Sequence, residues 1–238
     1  MSGERYDAVV LGAGPAGEVA TGILAGAGLK VALVERELVG GECSYWACIP
    51  SKTLLRPPEV RRESSATAGV STPELDWPRV AAYRDWMIRQ LDDSGAVSGY
   101  EEQGVTVFKS AGKVGGQGRV EVDGQVLETE HVIVATGSEP QIPPIDGLAE
   151  AGYWTNREAT TLKEIPPSAV FIGGGAVGGR ARPDARPLRL AGHDRSGRRA
   201  AAQPRRPGGR ASDRGGAPVR RDSASPWPPR DPRAARRH

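Results

Sequence analysis

The sequence predicts an α/β fold with a mainly parallel sheet for residues 1–178, and a disordered tail for residues 179–238. Two short apolar segments flank a helix-compatible segment near the N-terminus, and a glycine-rich loop joins the first of them to that helix. A second glycine-rich loop follows another apolar segment further along the chain. Strands that alternate with helices are typical of parallel sheets. The 238 residues are enough for one or two domains.

Charge is distributed unevenly along the chain. The whole sequence has a net charge of +3, but residues 1–178 hold 15 basic and 24 acidic residues, and residues 179–238 hold 17 arginines and 5 aspartates. The tail has very few large apolar side chains, namely Leu188, Leu190, Val219 and Trp227. Such a segment cannot bury enough apolar surface to offset its chain entropy, so we expect it to be disordered.

Composition also excludes several classes of protein. No run approaches the roughly 20 apolar residues of a membrane span. The charged residues 1–7 lead directly into a strand-like segment, which is unlike a secretory signal. Two cysteines are too few for a disulfide scaffold. We therefore expect a cytoplasmic protein that does not contact membranes.

The first glycine-rich loop stands in an ordered series of elements. A strand predicted over residues 7–11 leads into Gly12-Ala13-Gly14-Pro15-Ala16-Gly17, which is a G-x-G-x-x-G sequence. A helix over residues 18–28 and a second strand over residues 30–34 follow. This order predicts a Rossmann-like domain whose loop, Pro15 and Ala16 included, binds a dinucleotide.

Each residue of this motif has a separate predicted role. Gly12 permits the tight turn, Gly14 lets the backbone approach a pyrophosphate, and Gly17 lets the helix pack on the strand. The helix N-terminus offers N–H groups and a positive dipole end to phosphates. Glu35, which lies 18 residues after Gly17 and is followed by Arg36, is placed to bind a ribose diol. A glycine-rich turn without a ligand is the alternative reading.

Two cysteines, Cys43 and Cys48, lie five residues apart. On a regular helix they would point about 140° apart, and their Cα atoms would exceed the ~7 Å limit for a disulfide. A bridge therefore requires irregular backbone, which Gly40-Gly41 and Pro50 suit. Cys48 would then lie near a helix N-terminus, which favours its thiolate. Two unpaired buried cysteines, or a metal site with His131, are the alternatives, the latter being short of ligands.

In the middle of the chain, the sequence predicts a helix and four short strands. Asp76 caps a helix that runs through Leu91, with apolar residues at three- and four-residue spacing. Pro57-Pro58 predict the end of the helix that follows the cysteines. The strands are predicted at residues 105–108, 119–122, 125–127 and 132–135. The second and third of them flank Asp123-Gly124, a two-residue hairpin turn.

A proline-rich connector at residues 141–145 predicts a domain boundary. We divide the chain into a first domain over residues 1–142, the beginning of a second Rossmann-like domain over residues 143–178, and the tail. In the second domain a strand over residues 169–172 leads into another G-x-G-x-x-G, with glycines at Gly173, Gly175 and Gly178.

The sequence Gly-Gly-x-Cys-x4-Cys-Ile-Pro-Ser-Lys after a G-x-G-x-x-G resembles the class I pyridine nucleotide–disulfide oxidoreductases. These flavoproteins include dihydrolipoamide dehydrogenase, glutathione reductase and mercuric reductase. The resemblance implies that the first domain binds FAD, with Gly41 near the cofactor, and that Cys43 and Cys48 form a redox-active disulfide. It implies that Cys48 lies against the flavin, that Cys43 attacks the substrate, and that Lys52 lies beside the flavin ring.

The resemblance extends to later residues and to the assembly. Gly112 corresponds to the adenine end of the FAD site, Thr136-Gly137 to the second FAD motif, and the loop at residues 173–178 to the start of the NAD(P)H-binding domain. The intact enzyme is expected to be a homodimer that passes electrons between NAD(P)H, FAD, the disulfide and a small disulfide or other acceptor. As it stands, the chain is expected to be an incomplete, inactive fragment, and to bind no metal.

The tail has a composition that suggests a shifted reading frame. It contains no Lys, Glu, Ile, Phe, Tyr, Met, Asn or Thr, and most of its amino acids have codons rich in G and C. After a one-base shift, residues 179–195 can encode an amphipathic helix, a glycine and a strand, which is the continuation that the family requires. We hypothesise that a single-base insertion or sequencing error near codons 178–179 produced the tail.

Two other functions remain as alternatives. The first is a flavin monooxygenase or other flavoenzyme that needs no thiols. The second is a non-enzymatic protein whose arginine-rich tail binds nucleic acid. We rank the second below the first because no aromatic residues interleave with the arginines.

Overall fold

The computed structural model describes residues 4–173 and residue 175, and it builds them around one six-stranded sheet in the order β3-β2-β1-β6-β5-β4. The strands are β1 (Glu4–Leu11), β2 (Val31–Val34), β3 (Thr106–Phe108), β4 (Gly112–Gly116), β5 (Arg119–Val122) and β6 (Gln125–Val134). The first four strands in the sheet order are parallel, and β5 and β4 continue the sheet as an antiparallel meander. The predicted α/β fold with a parallel sheet and a hairpin insertion is confirmed.

Strand β6 connects the parallel and antiparallel parts of the sheet. Residues 125–127 and 132–134, which we predict as parts of two strands, belong to this single strand. Its first residues pair with β5, and nearly its full length pairs with β1. Asp123 and Gly124 form the predicted turn between β5 and β6, both with positive φ, at 50° and 75°. Positive φ at both central residues is what a type I′ hairpin turn requires.

The core lies on both faces of the central strands, and every residue of β2 is buried. On one face Val9 and Leu11 of β1 pack with Val120 and Leu127 of the meander. On the other face Val10 packs with apolar residues of β2 and of the helices. Burial on both faces explains why β1 and β2 are continuous apolar segments, the pattern by which the sequence predicts them.

The described residues form seven α-helices. They are α1 (Pro15–Gly26), α2 (Gly41–Tyr45), α3 (Cys48–Ser65), α4 (Trp77–Met87), α5 (Ser94–Glu101), α6 (Leu148–Ala151) and α7 (Asn156–Thr160). Of these, α1 and α5 pack against the sheet. The helix predicted to end at Pro57-Pro58 instead continues through both prolines. Two prolines remove two backbone hydrogen bonds, and α3 nevertheless continues as a helix that packs along α4.

The helix predicted to reach Leu91 stops earlier. It ends at Met87, and the turn from Arg89 to Leu91 has left-handed backbone angles, with φ of 51°, 54° and 62°. The next helix, α5, begins at Ser94. None of the helices in the described ranges has both the length and the apolar character that a bilayer span requires.

The strand predicted over residues 169–172 does not form. These residues have no regular secondary structure, and Val170 and Ile172 are 78% and 58% exposed. A parallel strand is stable only beside partner strands that bury its side chains. Gly178 and residues 179–238 lie outside the described residues. The second glycine loop, the division of the chain at residues 142 and 178, and the disordered tail therefore stay predictions.

Candidate functional site

The first glycine-rich loop lies at the carboxyl edge of the parallel strands. The backbone N–H of Gly12 donates to the carbonyl of Val34 at 2.8 Å, and Gly12 has a φ of +96°. A Cβ on Gly12 would lie 2.4 Å from the carbonyl oxygen of Ala135, and one on Gly17 would lie 1.8 Å from the carbonyl oxygen of Gly12. Strand ends and helix therefore meet so closely that only glycine fits at these two positions.

Gly14, the middle glycine of the loop, has a different environment. A Cβ on Gly14 would meet no atom within 4 Å. Gly14 is the N-cap of α1 and has no side chain that could cap it, and Pro15 is the first helical residue. The helix therefore presents its N-terminal backbone to open space, which is the arrangement that binds phosphate groups in proteins.

Glu35 and Arg36, at the end of β2, are both tied to neighbouring segments. Glu35 is 9% exposed, and its two carboxylate oxygens accept hydrogen bonds from the backbone N–H groups of Ala13 and Glu37, each at 2.7 Å. Glu35 thus fastens the glycine loop to the end of β2, a role that its spacing alone does not predict. Each oxygen can accept a second hydrogen bond, and the contact of Glu35 with a ribose stays a prediction. Arg36 pairs with Glu139, and this hydrogen bond raises the pKa of Arg36.

The segment that carries the cysteines begins against this loop. The N–H of Gly40 donates to the carbonyl of Ala13 at 2.7 Å. A Cβ on Gly41 would lie 2.7 Å from the Cα of Gly14, so the two glycine backbones are in contact. The contact places the start of α2 beside the open end of α1.

The helical conformation is interrupted at Trp46 and Ala47, between the two cysteines, as their spacing requires. We call this interruption the break. Helix α2 ends just before Trp46, whose φ and ψ are −132° and −2°, and Ala47 has φ and ψ of −129° and −86°. Helix α3 then begins at Cys48, so the prediction that this cysteine lies at a helix N-terminus is confirmed. Both cysteines are half-buried thiols in the structure. Their oxidation to a disulfide stays a prediction.

The surroundings of Cys43 favour its protonated form. Desolvation, together with the hydrogen bond to Cys48 and the charge that Cys48 can carry, raises the pKa of the Cys43 thiol above its ordinary value. The positive charge of Lys52 acts in the opposite direction. Lys52 is exposed and lies on α3, one turn after Cys48.

We expect Lys52→Met to make the Cys43 thiol less acidic. Removing the positive charge destabilises the thiolate, so the pKa of Cys43 rises and its thiolate fraction at neutral pH falls. In the reduced full chain, the rate at which iodoacetamide modifies Cys43, followed by peptide mapping across pH, should shift to higher pH. Lys113→Met, on β4, is the matched control and should leave the profile unchanged. A Lys52→Met profile that overlays the wild-type profile would contradict this role.

Gly112 and the residues that follow β6 complete this edge. A Cβ on Gly112 would lie 2.6 Å from the side chain of Leu11 and 3.0 Å from that of Val34. Gly112 therefore allows β4 to pack over the ends of β1 and β2. Thr136 and Gly137 are exposed, and the Thr136 backbone adjoins Gly12.

The structure thus gathers most of the predicted site residues at the carboxyl edge of the sheet. Gly173 and Gly175 differ, because they follow a segment without regular secondary structure. The sequence analysis missed Asn156, Arg157 and Thr160 of α7, which bind the cysteine segment. The capping box from Thr155 to Glu158 could have predicted this helix, but no local pattern predicts where it packs.

Comparison with known proteins shows the family to which the chain belongs. Residues 6–180 match the family model described as pyridine nucleotide-disulphide oxidoreductase. The chain belongs to this family. Members of the family use FAD and NAD(P)H. The glycine loop, the open end of α1 and the exposed backbone at Thr136-Gly137 fit such a dinucleotide, because they leave room where side chains would otherwise project.

Relatives of this family match the same part of the chain. The dihydrolipoyl dehydrogenase of Acholeplasma laidlawii is 38% identical over 184 residues, which are 74% of this chain and 54% of that protein. The mercuric reductase of Staphylococcus aureus is 31% identical over 176 residues, 72% of this chain and 32% of that protein. The solved structure of the HOCl-induced flavoprotein disulfide reductase RclA from Escherichia coli is 26% identical, with a TM-score of 0.62, over 74% of this chain and 38% of that one. The chain therefore spans about half or less of the length of these relatives.

Proposed function

We propose that this chain is the N-terminal portion of an FAD-dependent disulfide oxidoreductase of the dihydrolipoamide dehydrogenase type. The observation that carries the proposal is the contact of Gly40 and Gly41 with the glycine loop, which brings a thiol pair to the dinucleotide-binding edge. When bound, FAD supplies the ring that exchanges electrons with NAD(P)H and with the thiol pair. The residues of the chain bind the cofactor and hold the two sulfurs.

The proposal gives each residue a role, which for the cysteines and Lys52 comes from the resemblance to the family. Gly12 and Gly14 admit the pyrophosphate to the start of α1, and Glu35 binds the ribose with its remaining lone pairs. Cys48, at the start of α3, is the sulfur beside the flavin. Cys43 is the sulfur that exchanges with the substrate. Lys52 provides positive charge near the pair, in line with its effect on the pKa of Cys43.

Substrate, assembly and location are also part of the proposal. The relatives include proteins named dihydrolipoyl dehydrogenase and mercuric reductase, which supports a small disulfide or another electron acceptor as substrate. We propose that the intact enzyme is a cytoplasmic homodimer and that the 238-residue chain alone does not turn over. The family match ends at residue 180, beside the predicted frame change at codons 178–179, and this supports the frameshift hypothesis. Resequencing the gene across those codons tests that hypothesis, and a clean frame would reject it.

A thiol titration tests the proposed chemistry. The full chain is reconstituted with FAD, and its thiols are counted before and after reduction by one equivalent of dithionite, which supplies the two electrons that open one disulfide. We expect two additional thiols per flavin after reduction, and a long-wavelength band from thiolate–flavin charge transfer. Cys48→Ser should abolish the band while flavin stays bound, whereas the matched variant Cys43→Ser should retain it. Equal thiol counts before and after reduction, with flavin bound, would favour the thiol-independent flavoenzyme instead.

A further inference from the structure

Helix α7 binds the chain just before the break between the cysteines and within the break itself. The side-chain amide of Asn156 donates to the carboxylate of Glu42 at 2.7 Å and to the carbonyl of Trp46 at 3.1 Å. The hydroxyl of Thr160 donates to the same carbonyl at 3.1 Å. Glu42 immediately precedes Cys43, and Trp46 lies in the break itself. The residue that precedes Cys43 and the break that leads to Cys48 are therefore joined through α7.

Arg157 supplies the charged part of this connection. Its Nε donates to Glu42 at 2.7 Å, its Nη2 lies 2.6 Å from Glu42 and 2.8 Å from Glu37, and its guanidinium stacks over the Trp46 ring at 4.1 Å. Partial burial lowers the pKa of Arg157. The hydrogen bonds to Glu37 and Glu42 raise it by more, so the pKa of Arg157 lies above its ordinary value. One side chain thus binds two carboxylates and an aromatic ring by a planar, forked group.

We propose that Arg157, supported by Asn156 and Thr160, is a positioning residue for the Cys43–Cys48 pair. The inference rests on the proposed function, in which the two sulfurs form a disulfide. Two sulfurs five residues apart can form a disulfide only if the backbone keeps its non-helical conformation at the break. The break lacks the continuous series of backbone hydrogen bonds that stabilises a regular helix. Contacts from α7 stabilise the conformation of the break, and they therefore keep the two thiols close to each other before the disulfide forms.

Equilibration with glutathione tests the positioning role. The two thiols lose two electrons and two protons to one oxidised glutathione, which becomes two reduced molecules, and an S–S bond forms between Cys43 and Cys48. The full chain is equilibrated at defined glutathione ratios and quenched by alkylation, and mass spectrometry gives the oxidised fraction. We expect Arg157→Met to lower the equilibrium constant for disulfide formation about tenfold, which corresponds to a potential about 30 mV less negative.

Two matched variants separate positioning from a general loss of stability. Arg157→Lys keeps the charge but not the forked hydrogen bonds, so it should recover part of the constant. Arg5→Met removes another ion pair, that of Arg5 with Glu130, and should leave the constant unchanged. Thr160→Val, which removes one hydrogen bond to the Trp46 carbonyl, should lower the constant by a smaller factor and serves if Arg157→Met does not fold.

The outcomes distinguish this inference from the proposed function. A folded Arg157→Met protein with the wild-type constant, or an unfolded one together with a Thr160→Val constant equal to wild type, would overturn the positioning role. If the unaltered chain forms no intramolecular disulfide at any glutathione ratio, the proposed function fails first. A lowered constant in Arg157→Met with partial recovery in Arg157→Lys supports the inference.

Discussion

Gly17→Ala is expected to lower the free energy of unfolding by about 3 kcal/mol or more, because the added Cβ would lie 1.8 Å from the carbonyl oxygen of Gly12. Both atoms belong to backbone-fixed positions, so neither can rotate away. Helix α1 would have to move off β1, and the loop between them would lose its shape. A loss of this size is a large part of the 5–15 kcal/mol that stabilises a typical domain. Urea unfolding followed by circular dichroism measures it.

Other glycines provide the controls. Gly22→Ala lies within α1, where a Cβ meets no atom within 4 Å, and it should raise stability by about 0.5–1 kcal/mol. Gly14→Ala is equally free of contacts, so it should change stability by no more than about 1 kcal/mol. It should nevertheless weaken FAD binding if the cofactor contacts this backbone. Wild-type stability in Gly17→Ala would mean that the helix does not approach the strand as closely as described.

Local patterns predicted the glycine loop and the strands around it, but not every neighbour. Strands β1 and β2 contain the continuous apolar segments that are typical of strands buried on both faces, so the sequence alone is sufficient to predict them. Strand β4 is different, because three of its residues, Gly112, Gly115 and Gly116, have low strand propensity. It forms because β5 pairs with it and because the missing Cβ of Gly112 leaves space for Leu11.

The left-handed turn after α4, from Arg89 to Leu91, likewise depends on contacts between distant segments. Three consecutive non-glycine residues adopt left-handed angles there, which costs roughly 1–2 kcal/mol per residue. No periodicity predicts that. Beyond the turn, the Asp93 carboxylate accepts from the backbone N–H of Val39 at 2.7 Å and from the Lys109 ammonium. These bonds fix the start of α5 against the loop that leads to the cysteines.

For the candidate site, spacing was informative where it limits geometry. A separation of five positions between Cys43 and Cys48 requires a break, and the structure has one at Trp46 and Ala47. Spacing gave no information on what holds the break, because Arg157 is more than a hundred residues further along the chain. Contacts of that kind depend on the tertiary fold, which single-sequence patterns do not contain.

Arg84→Met is expected to lower the free energy of unfolding by about 3 kcal/mol and to release the segment that carries α7. The Arg84 side chain is 0% exposed. It donates to the carbonyl of Thr160 at 2.5 Å, to that of Leu162 at 3.0 Å and to the carboxylate of Asp85 at 2.8 Å. Met fills a similar volume but donates nothing, so two carbonyl groups lose their donor and Asp85 loses its buried counter-charge.

Two measurements check this prediction, and they separate it from a local surface effect. Urea unfolding gives the stability change, and hydrogen exchange read by mass spectrometry should show faster exchange over residues 155–163 than in wild type. Arg79→Met, an exposed position on the same helix, is the control and should stay within about 0.5 kcal/mol of wild type. The Trp77 indole, which donates to the carbonyl of Lys163 at 2.9 Å, remains in both variants. If exchange over residues 155–163 is unchanged in Arg84→Met, then Arg84 does not hold this segment, and α7 reaches the cysteine helices through its own contacts alone.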